Sequence, residues 1–227
     1  MSCSTSIVTD DWLSHELGRP VAHLIGTEPG QMPSGPSFVD ARVPTSEVAA
    51  VTRLEDAGFR VVDAAVTLER PRCDDGGSLA SARFAEPGDA GAVRAIASTA
   101  LTQSRFHLDP EIPDEAACAL KASWAGNFFT GDRGDWMVVA QVDGVASGFL
   151  QLLDRPDALV IDLVAVSRDH QGKGLGAAMI RFASAHCGSA PLLRVGTQAA
   201  NVRSLGFYGS LGFRIVRTEY VLHRHGA

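Results

Sequence analysis

The chain has 227 residues, a formal net charge of −6, and 45% hydrophobic against 20% charged residues, the profile of a globular chain able to bury a core, with room for one large domain or two small ones. The acidic balance argues against a general nucleic-acid binder, which needs a basic face. The apolar run ALVIDLVAV is too short to span a bilayer and contains Asp162, and MSCSTSIVTDDWLSHE has neither the basic start nor the apolar centre of a secretory signal, so a cytoplasmic protein is expected.

From the amino terminus, Asp10 or Asp11 caps a short helix that ends at Gly18, and VAHLI follows as a strand. TSEVAAVTRLEDAG reads as an amphipathic helix capped by Thr45 or Ser46, with Val48, Val51, Leu54 and Ala57 on one face and Gly58 closing it. FRVVDAAVTLER is a long strand. These elements make residues 1–70 a small α/β unit, and 71–78, rich in Pro, Gly and Asp, a linker to a second unit at 79–227. That unit opens as strand, turn and helix in ASARFAEPGDAGAVRAIASTA. A helix over IPDEAACALKASWAGNFF has Pro113 near its first turn. DWMVVAQVDGVASGFLQLLD is a hairpin turning at Asp143-Gly144, a type I′ signal. ALVIDLVAV reads as a strand buried on both faces, PLLRVGT as a strand, NVRSLGFYGSLG as a helix and FRIVRTEYVLHRH as a last strand.

Cys3, Cys73, Cys118 and Cys187 are far apart with no CxxC spacing, which suits reduced, structural thiols. His223 and His225 have no further ligands beside them in the sequence and read as surface histidines near a terminus; no metal is expected. One internal repeat is present. Gly58, Phe59, Arg60, Val62, Leu68 and Arg70 recur as Gly212, Phe213, Arg214, Val216, Leu222 and Arg224 at one constant offset, which suggests a duplicated α/β unit. The same offset carried back from Gln171 lands on Leu17-Gly18-Arg19-Pro20, so the first copy lacks a glycine triplet.

That triplet is the main chemical signal. Gln171-Gly172-Lys173-Gly174-Leu175-Gly176 lies between an apolar strand and a helix. The chain has no GxxxxGK[ST], and the spacing is not GxGxxG with a later acid at a strand end. It fits [RQ]xxGx[GA], in which small residues let backbone approach a pyrophosphate and the start of a helix presents unpaired N–H groups to it. Lys173 adds attraction at longer range.

The order from Val160 to Arg224 is a buried strand, Q-x-x-G-x-G, a helix, a strand, then N-x-x-S-x-x-x-Y-x-x-L-G-F and a strand. With ARFAEPGDAGAVRAIA, it resembles the GCN5-related N-acetyltransferase (GNAT) superfamily over Ala80 to the carboxyl terminus. The resemblance implies an α/β fold with a mixed central sheet, preceded by a degenerate GNAT-like half, and acetyl-CoA as co-substrate with no metal. It places Leu163, Val164, Ala165 and Val166 along the pantetheine arm, residues 171–176 (Gln171, Gly172, Lys173, Gly174, Leu175 and Gly176) on the pyrophosphate, and Asn201 and Ser204 near the cofactor. It places Tyr208 beside the sulfur, where a phenol with a pKa near 10 can protonate the departing thiolate. LTQSRFHLDPEIPDEAACALKASWAGN and LLRVGTQAANVRSLGFYGSLGFRIVRTEYVLHR are similar to members of that superfamily that acetylate dTDP-linked amino-deoxysugars. This implies a nucleotide-linked amino sugar as acceptor, taken by direct attack because no activated Cys or Ser motif suggests an acyl-enzyme. Another small amine, a protein N-terminus and a non-catalytic acyl-CoA-binding module are the alternatives. QSRFH is expected to end the first helix of the second unit and to overhang the acceptor, with Gln103 and Ser104 at the site, Arg105 on a diphosphate and Phe106 on a ring face. The general base stays open between Asp162, taken by alternation to share a face with Val160 and Val164, and a water relay. A homodimer is also left open.

Overall fold

Residues 5–73 and 81–226 are described by the structure, a computed structural model. Ten strands form one sheet in the order β1-β2-β3-β10-β4-β9-β8-β7-β6-β5. In chain order the elements are β1 (Ser6–Thr9), α1 (Asp11–Leu17), β2 (Val21–Ile25), β3 (Ser37–Pro44), α2 (Val48–Asp56), β4 (Arg60–Pro71), β5 (Ala82–Phe84), α3 (Ala90–Ala100), α4 (Asp114–Thr130), β6 (Trp136–Val142), β7 (Val145–Asp154), β8 (Ala158–Val166), α5 (Leu175–His186), β9 (Leu192–Gln198), α6 (Val202–Ser210) and β10 (Arg214–Gly226). The sheet is mixed: β2 with β3 and β8 with β9 run parallel, and the other pairs run antiparallel. Among the described residues no helix is long and apolar enough to cross a membrane. The expected linker lies outside the described residues from 74 onward, as does Cys3.

Local signals account for much of this. Asp10 caps α1 by accepting from the Leu13 N–H, and Gly18 ends it at φ +63°. Asp143 (φ +50°) and Gly144 (φ +78°) supply the two left-handed residues of a type I′ turn between β6 and β7. Other expectations give way to packing. Thr45 and Ser46 do not cap α2: Glu47 stands at the N-cap with no side-chain bond, because the Thr45 hydroxyl is taken by that of Thr218 on β10 at 2.6 Å. Val48 is exposed, and the buried face of α2 is carried by Ala50 and Leu54. α3 stops at Ala100, so QSRFH belongs to the turn after the helix and does not end it. β1 and β3 had no clear signal in the sequence. β3 lies deep in the sheet although it contains Asp40 and Arg42, since partners from distant segments satisfy those charges.

Strands β4 and β10 knit the two units together. β10 lies between β3 and β4, and β4 lies between β10 and β9. β10 therefore pairs with β3 and β4, and β4 with β9, so the boundary expected at 70 does not interrupt the sheet. On one side, α5 and α6 cover a core that includes Leu159, Ile161, Met179, Ile180, Tyr208 and Phe213. α3 and α4 cover another that includes Val93, Ile96, Phe149, Leu163 and Ala165. Smaller cores hold α2 on β3 and join α1 to α4 through Leu13, Phe38, Phe106 and Leu120.

Candidate active site

Strand β8 is where the sheet opens. It pairs with β9 from Ala158↔Leu192 to Ile161↔Val195 and no further. Beyond that point β9 stays on β4, up to Ala65↔Gln198, while β8 stays on β7, up to Gly148↔Val166. The residue at the fork is Asp162. Opposite it the β7 register jumps from Leu152↔Ile161 to Gln151↔Leu163, so Asp162 is the extra residue of a β-bulge. Bulges twist a strand away and end pairing; here, among the described residues, the β9-facing backbone groups of β8 beyond Asp162 are left without a partner strand. The bulge also resets the alternation of side chains. Leu163 and Ala165 join the core under α3 and α4, whereas Val164 and Val166 pack against the core under α5 and α6. Asp162 therefore does not share a face with Val164, because strict alternation fails across an inserted residue.

The glycine loop closes the same end of the fork. Gly172 and Gly174 both have φ +79°, and a Cβ at either would meet nothing within 4 Å. They are needed for backbone conformation and leave the space ahead of the loop open. Gly174 is the N-cap of α5, so the N–H groups of the first turn point into that space. Gly176 has a different reason: a Cβ there would lie 3.1 Å from Cζ of Phe207 on α6. Leu175 is buried beneath the loop, and Lys173 is exposed. Gln171 is a brace, donating from Nε2 to the Val166 carbonyl (3.0 Å) and accepting from Arg203 at Oε1 (2.6 Å).

α6 faces this loop. Asn201 caps it, its Oδ1 accepting from the Ser204 N–H at 3.1 Å. Tyr208 is buried in the core between Phe207 and Phe213. Its hydroxyl makes no hydrogen bond among the described residues, and burial pushes its pKa above the ordinary phenol value. A more basic phenolate means a weaker acid at rest that still holds its proton at neutral pH.

The wall under α4 is charged. Asp162 is engaged on all sides: Arg133 donates to both its oxygens (2.8 and 2.7 Å), and Trp124 Nε1 (3.0 Å) and Gln151 Nε2 (3.2 Å) donate to Oδ2. Both of its oxygens are thus occupied by protein donors. Arg105 donates to Asp40 and lies over the Phe106 ring. Burial alone would raise the Asp40 pKa, but Arg105 and His23 outweigh it and hold this carboxyl well below the usual range. His23 bridges Asp40 and Asp10 at 3.0 Å each, and those bonds, led by Asp40, raise its pKa. Phe106 is fully buried between α4 and β3, so its ring faces protein rather than a ligand. Ser104 is also buried and bonds His107 at 2.8 Å, while Gln103 is exposed.

His223 and His225 are not surface residues. Both sit beside Phe38, and both reach one oxygen of buried Asp109, at 2.6 and 2.8 Å. The long final strand carries them into the sheet beside β3, which nearness to the terminus did not reveal. The three offer ligand atoms within 4.8 Å of one another, a set that could hold an ion. However, Arg105 approaches His223 Nε2 at 3.3 Å and brings a cation to the same place. Cys187 caps the end of α5, its thiol pushed up to about 12 by burial, which suits packing rather than nucleophilic attack. The residues that sequence reasoning missed are Asp40, His23, Asp109 and Lys121. Only Lys121 carried a local signal, as the lone charge in the otherwise uncharged run between Glu115 and Asp132.

Comparison with known proteins agrees with this geometry. A family model described as the acetyltransferase (GNAT) family matches residues 97–213. The chain is 31% identical over 140 residues to the spore coat polysaccharide biosynthesis protein SpsD of Bacillus subtilis (strain 168), covering 61% of this chain and 48% of that one, about half of that relative's length. It is 30% identical over 195 residues to the dTDP-fucosamine acetyltransferase of Escherichia coli O6:H1 (strain CFT073), covering 83% of this chain and 82% of that one. A solved tandem GNAT protein from the clavulanic acid biosynthesis pathway has the same fold, with a TM-score of 0.56 at 16% identity over 84% of this chain and 64% of that one. The bulged strand, the glycine loop at the head of α5 and the family match over the same residues make this chain a member of the GNAT family of acetyltransferases.

Proposed function

We propose that this acetyltransferase moves the acetyl group of acetyl-CoA, the family's co-substrate, to a primary amine on a nucleotide-linked amino sugar. The observation that carries the transfer is the fork at Asp162. It leaves a row of backbone groups on β8 for the pantetheine arm, beside a loop whose N–H groups suit a pyrophosphate. In this reading Leu163 to Val166 hold the arm, and one of their N–H groups polarises the thioester carbonyl as charge develops on it. Gly172 to Gly176 hold the pyrophosphate, Asn201 and Ser204 shape the wall, and Tyr208 protonates the thiolate. The reaction is direct attack: the amine nitrogen bonds to the carbonyl carbon, the C–S bond breaks and the sulfur takes a proton. Because Asp162 is consumed by Arg133, the amine proton leaves through water. Gln103, Ser104, Arg105 and Phe106 form the wall of the acceptor site from behind rather than by stacking on the ligand.

The acceptor class rests on the dTDP-fucosamine acetyltransferase relative, which spans most of both chains. The amino-terminal half is read as a degenerate copy of the β9–α6–β10 unit that holds structure and acceptor but no CoA. The test is thiol release from acetyl-CoA with a panel of dTDP- and UDP-linked amino sugars, free amino sugars, amino acids and peptides. Turnover confined to nucleotide-linked amines supports the reading; turnover of peptides or free amino acids alone overturns it.

A further inference from the structure

Lys121 is a buried cation that nothing in the described chain neutralises. It points from α4 toward the sheet and is 8% exposed. Its Nζ lies 4.5 Å from the Trp124 ring centroid and 5.5 Å from that of Phe106. Among the described residues it makes neither an ion pair nor a hydrogen bond. Its two neighbouring cations are treated differently. The Arg105 guanidinium is held by Asp40 and that of Arg133 by Asp162. Three cations thus line one wall with two carboxylates between them, and the third is left against aromatic faces, which recover only part of the lost hydration.

An ammonium kept this way asks for an anion from outside the chain. Resting on the reading of the acceptor as a nucleotide-linked amino sugar, we infer that Lys121 is the anchor for a phosphate of the acceptor's diphosphate. The flanking arginines complete the cradle. Arg105 bonds its carboxylate through Nη1 and Arg133 through Nε and Nη2, which leaves Arg105 Nη2 and Arg133 Nη1 for further phosphate oxygens. Lys121 is one helical turn from Trp124, which donates to Asp162 at the fork, so the anchor lies beside the place where the thioester is held. Burial and Arg105, with Arg133 adding and Asp162 opposing, bring its pKa down to about 8, so it is charged at neutral pH and loses its charge just above. The charged and titratable groups facing it are Arg105 and His107 from the turn after α3, Asp162 from β8 and Arg133 from the loop after α4.

The probe is dTDP-glucose, which has the diphosphate at constant charge through neutral pH and no amine to acetylate. Calorimetry on the full chain should show Lys121→Gln weakening its binding about ten- to hundredfold, the range for a hydrogen bond to a charged group. Lys121→Arg should recover part of this loss, and acetyl-CoA binding should be unaffected. For wild type, affinity should fall as pH rises past about 8, and for Lys121→Gln it should not. With an amine-bearing nucleotide sugar the loss should fall on KM. Equal binding of dTDP-glucose by wild type and Lys121→Gln overturns the inference. So does a loss confined to kcat with the basic limb of its pH profile removed, which would make Lys121 a proton acceptor. If Lys121→Gln does not fold, the wild-type pH series and Lys121→Arg decide. If inorganic pyrophosphate binds with this dependence but dTDP-glucose does not, the anion site stands and the nucleotide-sugar reading falls. Turnover of nucleotide-linked amino sugars with a wild-type KM in Lys121→Gln gives the reverse.

Discussion

Helices α2 (Val48–Asp56) and α6 (Val202–Ser210) stand at matching places in two strand–helix–strand units, and they differ in what they bury. Both end on a left-handed glycine, Gly58 at φ +93° and Gly212 at φ +81°, followed by a buried phenylalanine, Phe59 or Phe213. That shared part is what the fold needs to turn the chain back into the sheet. The differences fall where chemistry would act. Tyr208 of α6 corresponds to Leu54 of α2, Asn201 to Glu47, and Ser204 to Ala50; the loop Gly172-Lys173-Gly174 corresponds to Gly18-Arg19-Pro20. In one unit the buried position is filled by an aliphatic side chain, in the other by a ring that brings a hydroxyl into the core. Backbone architecture can be repeated with few constraints while a handful of side chains at matched positions differ.

Substitutions at matched positions test this contrast. The largest effect is expected at Tyr208→Phe, which keeps the ring. Loss of general-acid help should lower kcat by about 10²–10⁴-fold, roughly 3–5 kcal/mol of barrier, with acetyl-CoA affinity little changed. A kcat within about threefold of wild type would remove Tyr208 from the chemistry. The matched Leu54→Ala should instead cost about 2–5 kcal/mol of folding stability in denaturant titrations, because Leu54 is fully buried. Activity per folded molecule should survive; its loss would mean that the first unit takes part in catalysis.

Gly172→Ala and Gly18→Ala place a Cβ on left-handed residues with open space around them. Each should lose about 1–2 kcal/mol of stability from backbone strain, but only Gly172→Ala should weaken acetyl-CoA binding by calorimetry, at one CoA per chain. Equal weakening in both would count against the loop as the pyrophosphate site, as would a second equivalent CoA site. The smallest effect is at the caps. Asn201→Ala should cost about 1 kcal/mol through loss of the bond to the Ser204 N–H. Glu47→Ala should stay within about 0.5 kcal/mol, since Glu47 makes no cap bond. Paired melting curves decide this, and a larger shift for Glu47→Ala would show that the two N-caps do similar work.

Much of the transferase half was legible in the sequence because its signals are local. The glycine loop, the Asn201 cap, the Asp143-Gly144 turn and the run of β8 each declare themselves within a few residues. The acceptor wall was not legible. The bond from Arg105 to Asp40, on a strand that had itself gone unread, was not foreseen, and Phe106, expected on a ring face, is sealed behind it. Asp162 was read by alternation, which a single inserted residue overturned.

The sequence by itself determined most of the strands and helices in their order, the turns that need left-handed residues, the spacing shared by two strand–helix–strand stretches and the left-handed glycines before α5. All of these depend on backbone conformation and on periodicity over a few residues, which side chains encode locally. Only the tertiary structure decided that β4 and β10 exchange places between the units, that β8 parts from β9 at Asp162, and which charges meet. Whether His223 and His225 reach solvent or Asp109, and whether Asp40, Asp162 or nothing at all pairs with a given cation, depends on residues from far along the chain arriving at one place. The cost of burying a charge enforces such pairings in space and leaves no trace in the spacing of residues along the chain.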